Sequence, residues 1–348
     1  MKYPACEDWG VKIWLVMLWA AALLITVGGT CYLLYGIAAG VENLPDLWKT
    51  ISPFDAAVAL AATFVFYAFD YVRLFSLLKI LNVRLPLWRG MEVIVVSEFA
   101  SVLTPTAELH MPAAVYVLSL MNVPSEKATA AVTTKTMYGI MWVCLFALSM
   151  LYFVGGVQLP AVVAANITFL LIPIFAITIV FVSLAIFAQR ILAWTQTYQS
   201  RADTGRIKKR VLAWAGKSAG AISMIGTSTR KTHLLCHAAN LGFIATYCFI
   251  GWWLARSMNV RLSFLQALTI FSSSLMVDYV SPVPGSIGVC EFATAFMIDP
   301  RLTPQSLVIA ILLRILCKYL VLLPGSFVVA NVLRRQGAKF LTNARPNT

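Results

Sequence analysis

Charge is scarce in this sequence, and acid is scarcer than base. Only 12% of the 348 residues are charged, with 14 Asp and Glu against 27 Lys and Arg. A soluble domain carries about twice that share, so a soluble fold is excluded. Paired cysteines are also lacking. Seven Cys (Cys6, Cys31, Cys144, Cys236, Cys248, Cys290 and Cys317) are scattered, mostly through apolar runs, without C-x-x-C spacing. That argues against a disulfide framework or a thiolate metal site and fits small packing residues. No P-loop, nucleotide fingerprint or nucleophile elbow occurs, which speaks against an ATP-driven pump and a serine hydrolase. There is no basic soluble domain to meet nucleic acid. No cofactor is expected.

What is present is apolar. Hydrophobic residues make up 60% of the chain and the mean hydropathy is +0.82. Runs of about 20 apolar residues follow one another, the mark of a polytopic all-α membrane protein. Full spans are expected near 14–38, 55–79, 128–154, 161–188, 233–256 and 305–332. The first follows Glu7 and Asp8 and has no clear cleavage site, so it is read as a retained helix.

Two other apolar regions are broken. Segments 91–103 and 106–121 flank Leu103-Thr104-Pro105-Thr106, and segments 264–280 and 287–298 flank Ser281-Pro282-Val283-Pro284-Gly285-Ser286. Most of these pieces are too short to cross about 30 Å of hydrocarbon at 1.5 Å per residue. Each pair is expected to be a re-entrant helical hairpin, over 91–121 and 264–298. Pro105, Pro282 and Pro284 would mark the breaks. Gly285 and Gly288 would let backbone approach closely.

With both hairpins re-entrant and the N-terminus inside, the inside segments hold 19 of the 27 Lys and Arg and the outside segments four. This asymmetry predicts cytoplasmic termini and a cytoplasmic loop at 189–232 in an inner (plasma) membrane. The chain then divides into two inverted repeats, 1–156 and 157–348, each of three spans plus one hairpin. An offset of 179 pairs Lys135 with Arg314, Pro105 with Pro284, and Glu126 with Gln305. Inverted repeats with broken helices are a common plan of secondary transporters. The loop 189–232 carries Arg206, Lys208, Lys209, Arg210 and Lys217 among Trp194, Leu212 and Trp214. It reads equally well as a surface for anionic inner-leaflet lipid or as an ordinary basic loop.

Charges deep in a bilayer need a reason. Lys135 and Arg314 fall near the middle of their spans, and Lys318 lies one turn beyond Arg314. Asp70, Glu98, Glu108, Asp278 and Glu291 gather in the same parts of the chain. They are read either as structural ion pairs or as the lining of a polar cavity that binds a charged head group. His233 and His237 have i, i+4 spacing without a third ligand, so an interfacial structural role outweighs a metal site. His110 near Glu108 is a titratable group or a helix cap. Ser272, Ser273 and Ser274 are expected to satisfy backbone or neighbouring helices.

Pro284-Gly285-Ser286-Ile287-Gly288-Val289-Cys290-Glu291 resembles the "PGGxGxRE" signature of the lysylphosphatidylglycerol synthase/flippase transmembrane domain family. Arg314 followed by Leu323-Pro324-Gly325 is similar to that family's closing segment. Asn122-Val123-Pro124, Ala128 and Lys135 are similar to its first-repeat pattern. Ser286 and Cys290 depart from the signature, and Thr104–Glu108 lacks the usual glycine and arginine. The resemblance implies lipid translocation, with Glu291, Glu108, Lys135 and Arg314 at matched or near-matched polar positions. Synthesis is not implied, since no stretch here could form the family's soluble aminoacyltransferase domain. A flippase or lipid transporter that is not an enzyme is the leading expectation, with membrane lipid as substrate and a homodimer possible. A small-solute transporter of DedA-like plan and a membrane enzyme acting on a lipid-linked substrate are the alternatives.

Overall fold

The computed structural model describes residues 50–104, 109–154, 206–281 and 284–343, with isolated positions between 179 and 197. The spans expected at 14–38 and 161–188 lie almost wholly outside the described residues. So do Pro105, Glu108 and Pro282. Every described element is helical: α1 (Pro53–Ile80), α2 (Leu87–Leu103), α3 (His110–Leu120), α4 (Ser125–Val154), α5 (Arg206–Gly226), α6 (Arg230–Ser257), α7 (Phe264–Val280), α8 (Val289–Ile298), α9 (Pro304–Arg314) and α10 (Leu322–Asn343). A 3-10 turn, Pro284–Ser286, stands between α7 and α8, and a π turn, Ile315–Tyr319, follows α9.

Four stretches are long and apolar enough to cross a membrane: Pro53–Ile80, Ser125–Phe153, Arg230–Ser257 and Pro304–Val332. They coincide with four of the six expected spans. The broken regions are helix–break–helix as read, but α2 starts at Leu87, four residues earlier than the hydrophobic run indicates. Pro86 explains the start: its fixed φ and missing N–H suit the residue ahead of a helix. At 17 residues α2 and α7 are each about 25 Å long, still short of a bilayer core. In each region the two halves pack against each other.

Local chemistry sets the ends. Ser52 accepts the Asp55 N–H at 3.1 Å and Pro53 opens α1. α1 closes with Asn82 in the left-handed region (φ 56°), so that the Val83 N–H reaches the Leu78 carbonyl at 2.9 Å. α6 closes the same way, with Asn259 at φ 59° and the Val260 N–H on the Ala255 carbonyl at 2.9 Å. The residues themselves recur: Asn82-Val83-Arg84-Leu85 and Asn259-Val260-Arg261-Leu262. Each tetrapeptide leads into a 17-residue helix.

α1 packs most extensively on α6, and the two run antiparallel. Phe54 meets Trp253, Phe66 stacks on Phe243 (centroids 4.2 Å apart), and the Phe69 ring lies where a Cβ on Gly242 would be. Phe66 and Phe243 stand 16 residues before Asn82 and Asn259 respectively, so equivalent residues touch each other. Around this pair, α4 packs on α7 and α10 on α2, where Phe99 covers Gly325. α5 lies against α4, with Ala219, Ala221 and Ile225 buried and Lys217 facing outward 3.7 Å from Glu126.

Candidate functional site

Four basic and four acidic side chains meet inside this bundle. On the first side, Asp70 of α1 binds Lys135 of α4 at 2.6 Å and Arg73 of its own helix at 3.0 Å. Arg73 also donates to the Lys135 carbonyl at 3.4 Å and lies 4.5 Å from the centre of the Phe243 ring. All three charged residues are at most 4% exposed. In so apolar a setting each charge survives only with its partner.

On the second side, Arg314 is 1% exposed. It binds Asp278 at 2.8 Å, approaches Glu291 at 3.6 Å and donates to the Gly285 carbonyl. Glu291 accepts the Gly288 N–H at 2.8 Å and the Tyr319 hydroxyl at 2.6 Å. A carboxylate in the first turn of α8 also suits the positive end of that helix. Gly285, Ser286 and Gly288 all have positive φ, and the Ser286 hydroxyl donates to the Asp278 carbonyl at 2.8 Å. Arg314 and Glu291 therefore hold the break itself in shape. A Cβ on Gly285 would stand 2.9 Å from the Val102 carbonyl oxygen, so this turn rests against the end of α2, where the first break begins.

Lys318 joins the two broken helices. Its ammonium lies 3.3 Å from Glu98 of α2 and 3.5 Å from Asp278 of α7. The π turn sets its position: the Leu320 N–H bonds the Ile315 carbonyl at 2.7 Å, and the Tyr67 hydroxyl of α1 donates to the Cys317 carbonyl at 3.0 Å. Glu98 also lies 3.7 Å from His110 Nδ1, the first residue of α3.

A cavity of about 20 Å³ lies between the two groups of charges. Its polar wall comes from Asp70, Glu98, Asp278 and Lys318 with Tyr67, Tyr247 and Tyr279, and its apolar wall includes Phe66 and Phe243. Among the described residues that volume admits about one water and no head group. Lys135 and Arg314 stand behind their carboxylate partners and not in the wall. Of the expected site residues, Asp70, Glu98, Asp278 and Lys318 share the cavity, whereas Glu291 and Arg314 build the second break. Arg73, which sequence reasoning passed over, completes the Asp70 pair; its i, i+3 spacing from Asp70 was the available signal.

Both other histidines and two of the three expected serines have ordinary partners, whereas the buried Ser273 hydroxyl has no hydrogen-bond partner among the described residues. His237 Nδ1 accepts from Trp142 Nε1 at 3.0 Å and His233 Nε2 lies 2.9 Å from the Ser228 hydroxyl. Ser274 bonds Thr294 of α8, and Ser272 bonds the Thr269 carbonyl. Among the described residues no group of three His, Cys, Asp or Glu is placed to hold a metal ion.

Comparison with known families identifies the chain. Residues 14–325 match the family described as lysylphosphatidylglycerol synthase TM region, so the protein belongs to that family and is a multi-pass membrane protein. A search of curated proteins found no match.

Proposed function

From that membership and the polar cavity, we propose that this protein moves the phosphate-bearing head group of a membrane lipid between leaflets, leaving the tails in the bilayer, without acting as an enzyme. The observation that carries the reading is the cavity itself: four charged side chains line a water-sized space between two broken helices. Ion pairs that satisfy one another in the closed state are the groups a head group would engage in an open one. Burying such a head group costs several kcal/mol unless its polar atoms are matched.

The route to two states is an inverted repeat with two re-entrant hairpins. The recurring Asn-Val-Arg-Leu turns, the 17-residue helices that follow them and the contact between Phe66 and Phe243 support it. Because α1 and α6 are antiparallel, a two-fold relation between the halves has its axis across the helices, in the plane of the membrane. Rocking one half against the other would open the cavity to each side in turn. In this arrangement both termini and the loop 189–232 are cytoplasmic, and α5 lies near anionic inner-leaflet lipid.

The test is leaflet exchange of fluorescent phospholipids in liposomes containing the purified protein. Lys318→Gln should slow exchange at least tenfold while the protein stays folded, since Glu98 keeps the Ser101 hydroxyl and Asp278 keeps Arg314. Exchange no faster than in empty liposomes for every lipid tested, or an unaffected Lys318→Gln variant, would reject the proposal.

A further inference from the structure

Within the described residues, the buried cluster is electrically balanced. Asp70, Glu98, Asp278 and Glu291 are matched by Arg73, Lys135, Arg314 and Lys318, provided His110 is neutral. An anionic head group entering the cavity would leave one uncompensated negative charge in a medium that tolerates none cheaply. His110 is the one imidazole in the cluster, and by binding a proton it can supply the missing positive charge. Its Nδ1 lies 3.7 Å from one Glu98 carboxylate oxygen, and the Lys318 ammonium lies 3.3 Å from the other. The charged groups acting on it are Glu98 of α2, Asp70 of α1, Lys135 of α4 and Lys318 of the π turn.

We infer that His110 is a proton-binding site coupled to the lipid: its protonation pairs it with Glu98 and releases Lys318 to bind a phosphate oxygen. This rests on the function proposed above and adds its coupling ion. With His110 neutral, Lys318 is shared by Glu98 and Asp278 and the cavity closes. With His110 charged, Glu98 is compensated by the imidazolium, while Arg314 stays in reach of Asp278 and Glu291, so the ammonium is freed from Glu98. One proton enters from the aqueous side to which the cavity is open, travels with one phosphate negative charge, and leaves to water on the other side. The loaded cluster is again neutral.

The experiment measures proton uptake on binding, separately from transport. Purified full-length protein in detergent is titrated calorimetrically with short-chain phosphatidylglycerol, in buffers of different ionisation enthalpy, with short-chain phosphatidylcholine and inorganic phosphate as parallel arms. Wild type should take up about one proton per phosphatidylglycerol, and its affinity should weaken by about tenfold per pH unit above the His110 titration. His110→Gln should keep its thermal stability, take up no proton and lose that pH dependence. Phosphatidylcholine, whose head group carries its own cation, should bind with little uptake.

Uptake that persists in His110→Gln overturns the assignment, as does phosphatidylglycerol binding without uptake in wild type. No binding of any probe overturns it together with the lipid reading. Equal uptake with inorganic phosphate supports the proton-linked anion site and rejects the lipid as its source. In liposomes, exchange of phosphatidylglycerol that ignores an imposed pH gradient overturns the coupling and leaves the lipid reading standing.

Discussion

α2 and α7 both follow Asn-Val-Arg-Leu and both run 17 residues, yet their surroundings differ. α7 starts with a full capping box, in which Ser263 accepts the Gln266 N–H and Gln266 accepts the Ser263 N–H, whereas Pro86 gives α2 no side-chain cap. The break after α7 is pinned by Arg314, which also holds Asp278 and Glu291. Lys135 of α4 is instead turned to α1 and shares Asp70 with Arg73. The same scaffold thus carries two kinds of wiring. Beside α7 a base fixes the break; on α4 a base fixes a neighbouring span and leaves Glu98 to His110 and Lys318.

The sharpest way to break this comparison is to remove each base. Arg314→Met takes the nearest base from Asp278, the only base from Glu291 among the described residues and the donor from the Gly285 carbonyl, and should cost about 3–5 kcal/mol, read as a large drop in thermal stability in detergent. Lys135→Met leaves Asp70 still paired with Arg73 and should cost about 1–3 kcal/mol. Equal losses from the two would show that the halves are wired alike. Gly285→Ala comes next: a left-handed φ of 56° and the nearby Val102 carbonyl should together cost about 1–2 kcal/mol. Wild-type stability in that variant would mean that the break does not rest on α2. The smallest effect tests likeness instead of difference. Asn82→Ala and Asn259→Ala each place a Cβ-bearing residue without a local hydrogen-bonding side chain in a left-handed C-cap. Each should cost about 1 kcal/mol, and the two costs should agree.

Much of this was legible in the sequence because hydrocarbon is an exacting solvent. Four apolar runs give four spans, and Pro105 in the first region and the Pro-Gly cluster in the second mark the breaks. The buried charges were also legible one at a time, since each violates the surrounding apolar pattern. Their pairing was not. Lys318 and Glu98 are 220 residues apart, and only the packing of α10 and the π turn on α2 brings them together. The division between cavity wall and break was equally hidden: Glu291 and Asp278 are both isolated acids in sequence, but one caps α8 and the other faces the cavity. The recurring Asn-Val-Arg-Leu lay in plain view, 177 residues apart, while matching by charged residues points to 179. Turn chemistry keeps its register where loop lengths do not.

The π turn at Ile315–Tyr319 holds one residue more than an α-helix would need over the same rise. The π turn takes up the added residue locally, re-aiming the side chains within it by up to about 100° before an ordinary helix resumes. In lineage terms, a cation can arrive at the cavity without any codon changing its meaning, because an added residue re-aims a lysine that was already present. Deleting one residue from 315–317 is the reverse event. It would keep the apolar character of the segment intact and still carry the Lys318 ammonium away from Glu98 and Asp278.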